Sequence, residues 1–419
     1  MKRFLSVLLC ALFSAISIAE AANQPTTDAL LDQYQTLVLQ VKIVNIASGK
    51  KSGLGSGFFV QKQGYIVTNY HVIADLVFQP EQFQAYYVQA DGSSGTLEVV
   101  SFDIVHDLAL LKANVQNTDY FDLNPEPVQK GVALYSLGYP RDLGLVLLSG
   151  YHGGLIRHTL YEKIHLLGSL HKGMSGGPSF TAEGLVVGVN VAISGNQSSF
   201  LVPATFVLDM LAQAHQDNPI SLLDLATDQL RQNQARYLGS LISHPMKVTS
   251  LGPYRVPDKL APYMRCWGSD TGSEQRTYRV IEQSCATKED IFLNAHHISG
   301  TIRFIHRLIS SEQLSAFPFY ALYESEFRHL VMKTEGRAED VSRFQCQENF
   351  IVNNGLHLKI VFCARGYKKF LGLYDVIVKA ATVDHDDSGL QTALLLTGVS
   401  FNHAQHFAKK YLDSITWQP

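Results

Sequence analysis

Gly173-Met174-Ser175-Gly176-Gly177-Pro178 sets one serine among three glycines. A serine hydroxyl is a weak nucleophile at its free pKa. Chemistry there needs a general base within hydrogen-bond reach and donors for the oxyanion that forms. Glycines permit a tight turn that exposes the hydroxyl and lets backbone N–H groups converge on one point. Taken alone, the stretch is also readable as a plain glycine-rich turn, so a base and an acid must be sought elsewhere.

Thr68-Asn69-Tyr70-His71-Val72 supplies a base just past the strand-like run Tyr65–Asn69. His71 is one of 16 histidines and means little by itself. His106-Asp107-Leu108-Ala109-Leu110-Leu111-Lys112 places Asp107 at the mouth of an apolar run. An aspartate there is often a turn cap. A buried carboxylate is also what holds an imidazole in one tautomer and stabilises its cation. The chain order is His71, Asp107, Ser175.

Around these segments the chain reads as many short strands. Val38–Ile46, Phe58–Val60, Gln84–Gln89, Thr96–Phe102, Val132–Gly138, Leu145–Ser149, Lys163–Leu167, Leu185–Val191 and Ser199–Val202 are separated by turn pairs such as Asp91-Gly92 and Gly153-Gly154. That spacing fits a sandwich or barrels. Pro203 opens a helix over Ala204–His215, and Ser221 with Asp224 signals a second over Ser221–Tyr237.

Three segments in this order, with Gly55-Ser56-Gly57-Phe58 ahead of the histidine, resemble the trypsin-like serine proteases of the chymotrypsin superfamily, nearest the bacterial HtrA (Deg) branch. The matching stretches are Gly55–Ile73, His106–Lys112, Ala133–Pro140, Gly173–Phe180, Gly184–Ile193 and Leu201–Val207. The resemblance spans Leu37–Met210, about 40% of the chain. It implies two six-stranded antiparallel barrels with a catalytic triad in the cleft between them. Ser175 is then the nucleophile, His71 the general base and acid, and Asp107 its orienting partner. Gly173 and Ser175 offer the backbone N–H groups of the oxyanion hole. Val191, Ala192 and Ile193 pair with the substrate backbone. Ser169 is the floor of the primary specificity pocket, and its neutral side chain argues against selection for Lys or Arg. Met174 departs from the polar residue usual before the nucleophile, and Val191 from the hydroxyl residue that commonly supports the aspartate. The PDZ domains that usually follow in this branch are not expected, and nothing carries over beyond Met210.

The N-terminus has a targeting pattern. Lys2 and Arg3 precede an apolar run of 15 residues, Phe4–Ile18, then Ala19-Glu20-Ala21. The run is shorter than the roughly 20 residues that span a bilayer and reads as a signal peptide, residues 1–21, rather than a stable membrane anchor. Export to a periplasm or the cell exterior follows. Beyond Cys10 in that run, Cys266, Cys285, Cys346 and Cys363 form an even set, as in disulfide-bonded exported proteins. Three pairings are possible. The local one, Cys266–Cys285 with Cys346–Cys363, closes loops of roughly 20 residues worth about 3 kcal/mol each.

The 419 residues are 46% hydrophobic and 17% charged with a net charge of −3. This excludes a disordered chain, a multi-span membrane protein and a basic nucleic-acid binder. The expected organisation is a protease domain over 22–215, a helical connector over 216–244 and a C-terminal domain over 245–419. That last block is β-rich α+β, with strand-like runs at Thr277–Glu282, Ile298–His306, Phe317–Tyr323, Leu356–Phe362, Tyr374–Ala380 and Leu390–Val399 and a helix at His403–Ile415. No cofactor or metal is expected. His296-His297, His403 with His406, and Asp384–Gly389 lack ligand spacing and read as solvated or capping groups. The expected activity is peptide-bond hydrolysis in protein or peptide substrates. The alternative is an inactive protease scaffold carrying a C-terminal recognition or adhesin module.

Overall fold

The computed structural model describes residues 25–418 apart from 117, 192–198, 215–220, 273–276 and 384. The signal-peptide reading therefore falls outside the described residues, as do Ala192 and Ile193. Among the described residues no helix is long and apolar enough to cross a membrane.

A capped helix, α1 (Thr27–Tyr34), leads into the first barrel. Strands β1 (Val38–Asn45), β2 (Lys51–Gln61), β3 (Tyr65–Thr68), β4 (Phe83–Val88), β5 (Ser94–Asp103) and β6 (Leu108–Ala113) close in the order β1-β2-β3-β6-β5-β4. The second barrel holds β7 (Ala133–Gly138), β8 (Val146–Leu155), β9 (Ile164–Leu167), β10 (Pro178–Phe180), β11 (Val186–Val191) and β12 (Ser199–Pro203), closed as β10-β11-β12-β9-β8-β7. Every pairing in both is antiparallel.

The period of two along each strand explains how the barrels meet. On β6, Ala109, Leu111 and Ala113 point into the first barrel, while Leu108 and Leu110 join a second core with Val38, Phe58, Leu137, Phe180 and Val186. That second core is the seam between the barrels. A strand buried on both faces reads as a continuous apolar run, which is why Leu108–Leu111 shows no alternation.

Helix α2 (Tyr70–Phe78) follows β3 directly, and α3 (Ala204–Ala214) follows β12. The long helix α4 (Leu222–Ser243) is capped by Ser221, whose hydroxyl accepts the Asp224 N–H and donates to the Asp224 carboxylate. It is more than a tether. Ala226 and Leu230 belong to the first barrel's core, while Tyr237 and Leu238 belong to the C-terminal core.

The C-terminal part is β-rich. Strands β13 (Val248–Leu251), β14 (Tyr254–Pro257) and β24 (Thr416–Trp417) make a three-stranded sheet. A seven-stranded antiparallel sheet runs β15-β16-β19-β23-β22-β21-β20, from β15 (Met264–Asp270), β16 (Arg279–Thr287), β19 (Ile302–Ser310), β20 (Gln345–Asn353), β21 (Leu356–Gly366), β22 (Tyr374–Thr382) and β23 (Ser388–Val399). A separate hairpin pairs β17 (Ile291–Asn294) with β18 (His297–Ser299). Helix α6 (Phe401–Asp413) packs on the large sheet through Ala404, Phe407 and Tyr411. The cysteines take the local pairing. Cys266 faces Cys285 across β15 and β16, and Cys346 faces Cys363 across β20 and β21, both pairs at bonding distance. Each bridge ties an edge strand of the sheet to its neighbour.

One expected strand is a helix. Phe317–Tyr323 lies in α5 (Ala316–His329). The aromatic run looks strand-like, but Phe319, Tyr323 and Phe327 recur every four residues. That puts them on one helical face, with Phe319 and Phe327 buried and the Tyr323 hydroxyl donating to the Leu390 carbonyl.

Candidate active site

The site is assembled where β2 passes between α2 and the loop that carries Ser175. Gly55 makes the passage possible. A Cβ there would lie 2.5 Å from a methyl of Val72 and 3.1 Å from the Ser175 carbonyl oxygen. Gly176 is likewise pressed against the end of β3 and the cap of α2: at φ +86° its Cβ would meet the Thr68 hydroxyl at 2.3 Å and the Asn69 nitrogen at 3.0 Å. These two close approaches bring His71 and Ser175 to one place although 104 positions separate them in the chain.

His71 is the second residue of α2, so its N–H is one of the donors that a helix start leaves without an internal partner. The Asp107 carboxylate accepts it at 2.8 Å through Oδ1. Its Oδ2 lies 2.7 Å from His71 Nδ1. A carboxylate only accepts, so Nδ1 carries the proton and Nε2 is left as the basic nitrogen. Asp107 thus caps the helix and fixes the imidazole at once. It does so from the left-handed backbone region, at φ +60°, which aspartate tolerates better than most residues. Asn69 steadies this conformation by donating to the Asp107 carbonyl at 2.8 Å.

Burial lowers the affinity of the His71 ring for a proton, but the charge of Asp107 and its hydrogen bond outweigh that, and the pKa is raised above its ordinary 6.5.

The loop before Ser175 has a defined geometry. Met174 N–H donates to the His171 carbonyl at 3.0 Å, and Gly173, third in that turn, stands at φ +101°. Lys172 is not left-handed, so the turn is of type II. The Lys172 carbonyl accepts the Arg141 N–H at 3.0 Å. In a trans peptide the C=O and the next N–H point opposite ways. The Gly173 N–H is therefore turned away from Arg141. Side chains other than glycine are excluded at 173, since a Cβ would meet the Tyr139 carbonyl at 2.5 Å.

Ser175 is buried, with 5% of its surface exposed, and its carbonyl accepts the Ser56 N–H at 2.8 Å. Ser56 Oγ donates to the Gly173 carbonyl and accepts the Tyr139 N–H. In the sequence Ser56 has no role of its own beyond its place in Gly55-Ser56-Gly57-Phe58. A hydroxyl between two glycines is the signal that was there to be used. On the other side, Gly176 N–H donates to the Asn190 carbonyl and Asn190 N–H to Gly177, which ties the loop to β11. Met174, apolar where a polar residue is usual, is fully buried against Gly138.

Of the remaining expected residues, Val191 ends β11 and is half-buried. Ser169 is exposed beside Leu170, whose N–H donates to Ser199 Oγ at 2.8 Å.

Residues 55–189 match the family model of the trypsin-like peptidase domain. The chain carries a trypsin-like peptidase domain. The domain is 34% identical over 170 residues to a probable periplasmic serine endoprotease DegP-like of Bartonella henselae, a match that covers 38% of this chain and 33% of that one. It is 33% identical over 163 residues to Protease Do-like 5, chloroplastic, of Arabidopsis thaliana, covering 35% and 50%. The solved serine endoprotease of Yersinia pestis matches at 24% identity and a TM-score of 0.41, covering 46% of this chain and 69% of that one. The chain thus spans a third to a half of the length of these curated relatives.

Proposed function

We propose that the protein is an exported serine endopeptidase that hydrolyses peptide bonds in proteins through an acyl-enzyme. The observation that carries this is the double contact of Asp107 with His71, which commits Nδ1 and frees Nε2 as the base. In this reading Nε2 takes the Ser175 proton as Oγ attacks the carbonyl carbon, then gives it to the leaving amine. Water repeats the sequence to release the acyl group. The N–H groups of Gly173 and Ser175 stabilise the oxyanion. Val191, Ala192 and Ile193 hold the substrate backbone, and Ser169 floors the pocket for a small or medium apolar side chain. The type II turn at His171–Met174 supports the Gly173 assignment. Periplasmic relatives and the N-terminal pattern support export, with residues 1–21 as signal peptide. We assign 22–215 to the peptidase domain, 216–244 to the connector and 245–419 to a domain for substrate recognition or regulation.

The test is a fluorescent fluorophosphonate applied to the full-length protein and to Ser175→Ala. Labelling of the parent alone is expected, with loss of proteolysis in the variant by about 10⁴-fold or more. Equal labelling of both, or cleavage by the variant, would end the reading.

A further inference from the structure

The hairpin β17–β18 brings the C-terminal half of the chain to the side of His71. On β17, Ile291 and Leu293 are buried in a core shared with Ile73 and Val77 of α2. Phe292 lies between them, packed against the margin of the same core and only half-buried. Its ring meets the His71 imidazole edge to face, with centroids 6.0 Å apart and planes at 75°.

The segment is anchored on both barrels. Lys288 Nζ donates to the His158 carbonyl at 3.0 Å and the Glu289 carboxylate accepts the Leu160 N–H at 3.1 Å, both on the loop between β8 and β9 of the second barrel. The Tyr70 hydroxyl, on α2 beside the first barrel, donates to the Leu293 carbonyl at 3.3 Å. Residues 288–293 therefore bridge the two barrels beside the triad and hold Phe292 in place. Ile291 and Leu293 already fill the core. A benzyl group that stays partly in water at this point is apolar surface with room for another partner.

We propose that Phe292 is a specificity-determining residue of the peptidase cleft, donated by the C-terminal domain. It forms an apolar wall beside His71, against which the side chain of a residue flanking the scissile bond packs. Polypeptides with a large apolar or aromatic residue in that position are the preferred substrates. The wall is preorganised by the anchors at Lys288, Glu289 and Tyr70, so little ordering opposes its use. This assignment rests on the triad reading above.

The experiment uses the full-length protein, Phe292→Ala and Phe292→Leu. Each is assayed on internally quenched peptides varied at every position around the bond, and labelled in parallel with the fluorophosphonate. For Phe292→Ala, kcat/KM is expected to fall about tenfold or more on peptides with Phe or Leu at one flanking position. The loss should lie mainly in KM and be several-fold larger on those peptides than on peptides bearing Gly there or in the labelling rate. Phe292→Leu should be intermediate and carries the test should the alanine variant unfold. A preference profile that stays the same while labelling persists overturns this proposal alone. Uniform loss across all peptides together with lost labelling also overturns it, since Phe292 would then only support His71. A wild-type protein that the probe leaves unlabelled removes the triad reading and this one with it.

Discussion

Ser56 Oγ donates to the Gly173 carbonyl at 2.8 Å and accepts the Tyr139 N–H at 2.9 Å. One buried hydroxyl thus joins β2, the end of β7 and the turn before Ser175. Removing it in Ser56→Ala leaves a carbonyl and an N–H without that partner, at a cost of about 1–3 kcal/mol. The turn that orients the Gly173 N–H then loses its hydrogen bond from the first barrel, while the Ser56 N–H still holds the Ser175 carbonyl. Acylation is expected to slow by about 10- to 100-fold, with a smaller change in KM. Stopped-flow labelling with a fluorophosphonate reads this directly, and an unchanged rate would refute the role of Ser56.

The raised pKa of His71 fixes the sign of the pH dependence. The nitrogen must be unprotonated to act as a base, so kcat/KM should fall as pH drops through a midpoint above the ordinary 6.5. Stability runs the other way. The protonated ring is favoured in the folded state, so its contribution is full below the unfolded pKa of about 6.5 and is lost as pH rises through the folded value. Asp107→Asn removes the charge and leaves the burial. Its acid limb should shift to lower pH, with activity down about 10⁴-fold because the tautomer is no longer held. A pH–rate profile whose midpoint stays put in this variant would contradict the pairing.

The barrels and the positions of His71, Asp107 and Ser175 were readable because local pattern and burial agree there. β6 is apolar on both faces because both are covered. The C-terminal sheet was less legible. Strands β15 and β20 are exposed almost throughout, only Met264 of β15 reaching the core, and so carry no alternation. Only their cysteines betray them. Phe292 could not be found from the sequence at all. Its place beside His71 depends on a contact across 221 positions, with no local pattern to announce it.

Those exposed edge strands depend on their bridges. Each disulfide closes a short stretch, with sequence separations of 19 and 17. In the chain-entropy model that amounts to about 3 kcal/mol per bridge. Reduction, or Cys346→Ser with Cys363→Ser, should lower the melting temperature by several degrees. Hydrogen exchange should rise first in β20, which lacks a second covering element. Protection in β20 that is the same with and without reductant would show that the strand is held by its ladder alone.

Cutting the chain after Ser243 tests whether the peptidase domain stands alone. The first barrel's core is completed by Ile291, Leu293, Val341, Tyr367, Phe370 and Leu373, all from beyond the cut. Phe370 packs on Phe78 with centroids 5.6 Å apart, and Lys369 Nζ donates to the Phe78 carbonyl. Truncation would bare Ile73, Val77 and Phe78 on α2, the helix that carries His71. Each such side chain returned to water costs about 1.5–3 kcal/mol, against a total stability of about 5–15 kcal/mol for a domain. The fragment 22–243 is therefore expected to aggregate or to melt far below the parent. Activity should be lost through displacement of α2 even where the triad residues are all present. Scanning calorimetry with fluorophosphonate labelling of the fragment decides it. A soluble fragment that labels at the parent's rate would mean that the C-terminal half adds nothing to the integrity of the site, and that the shared core is dispensable.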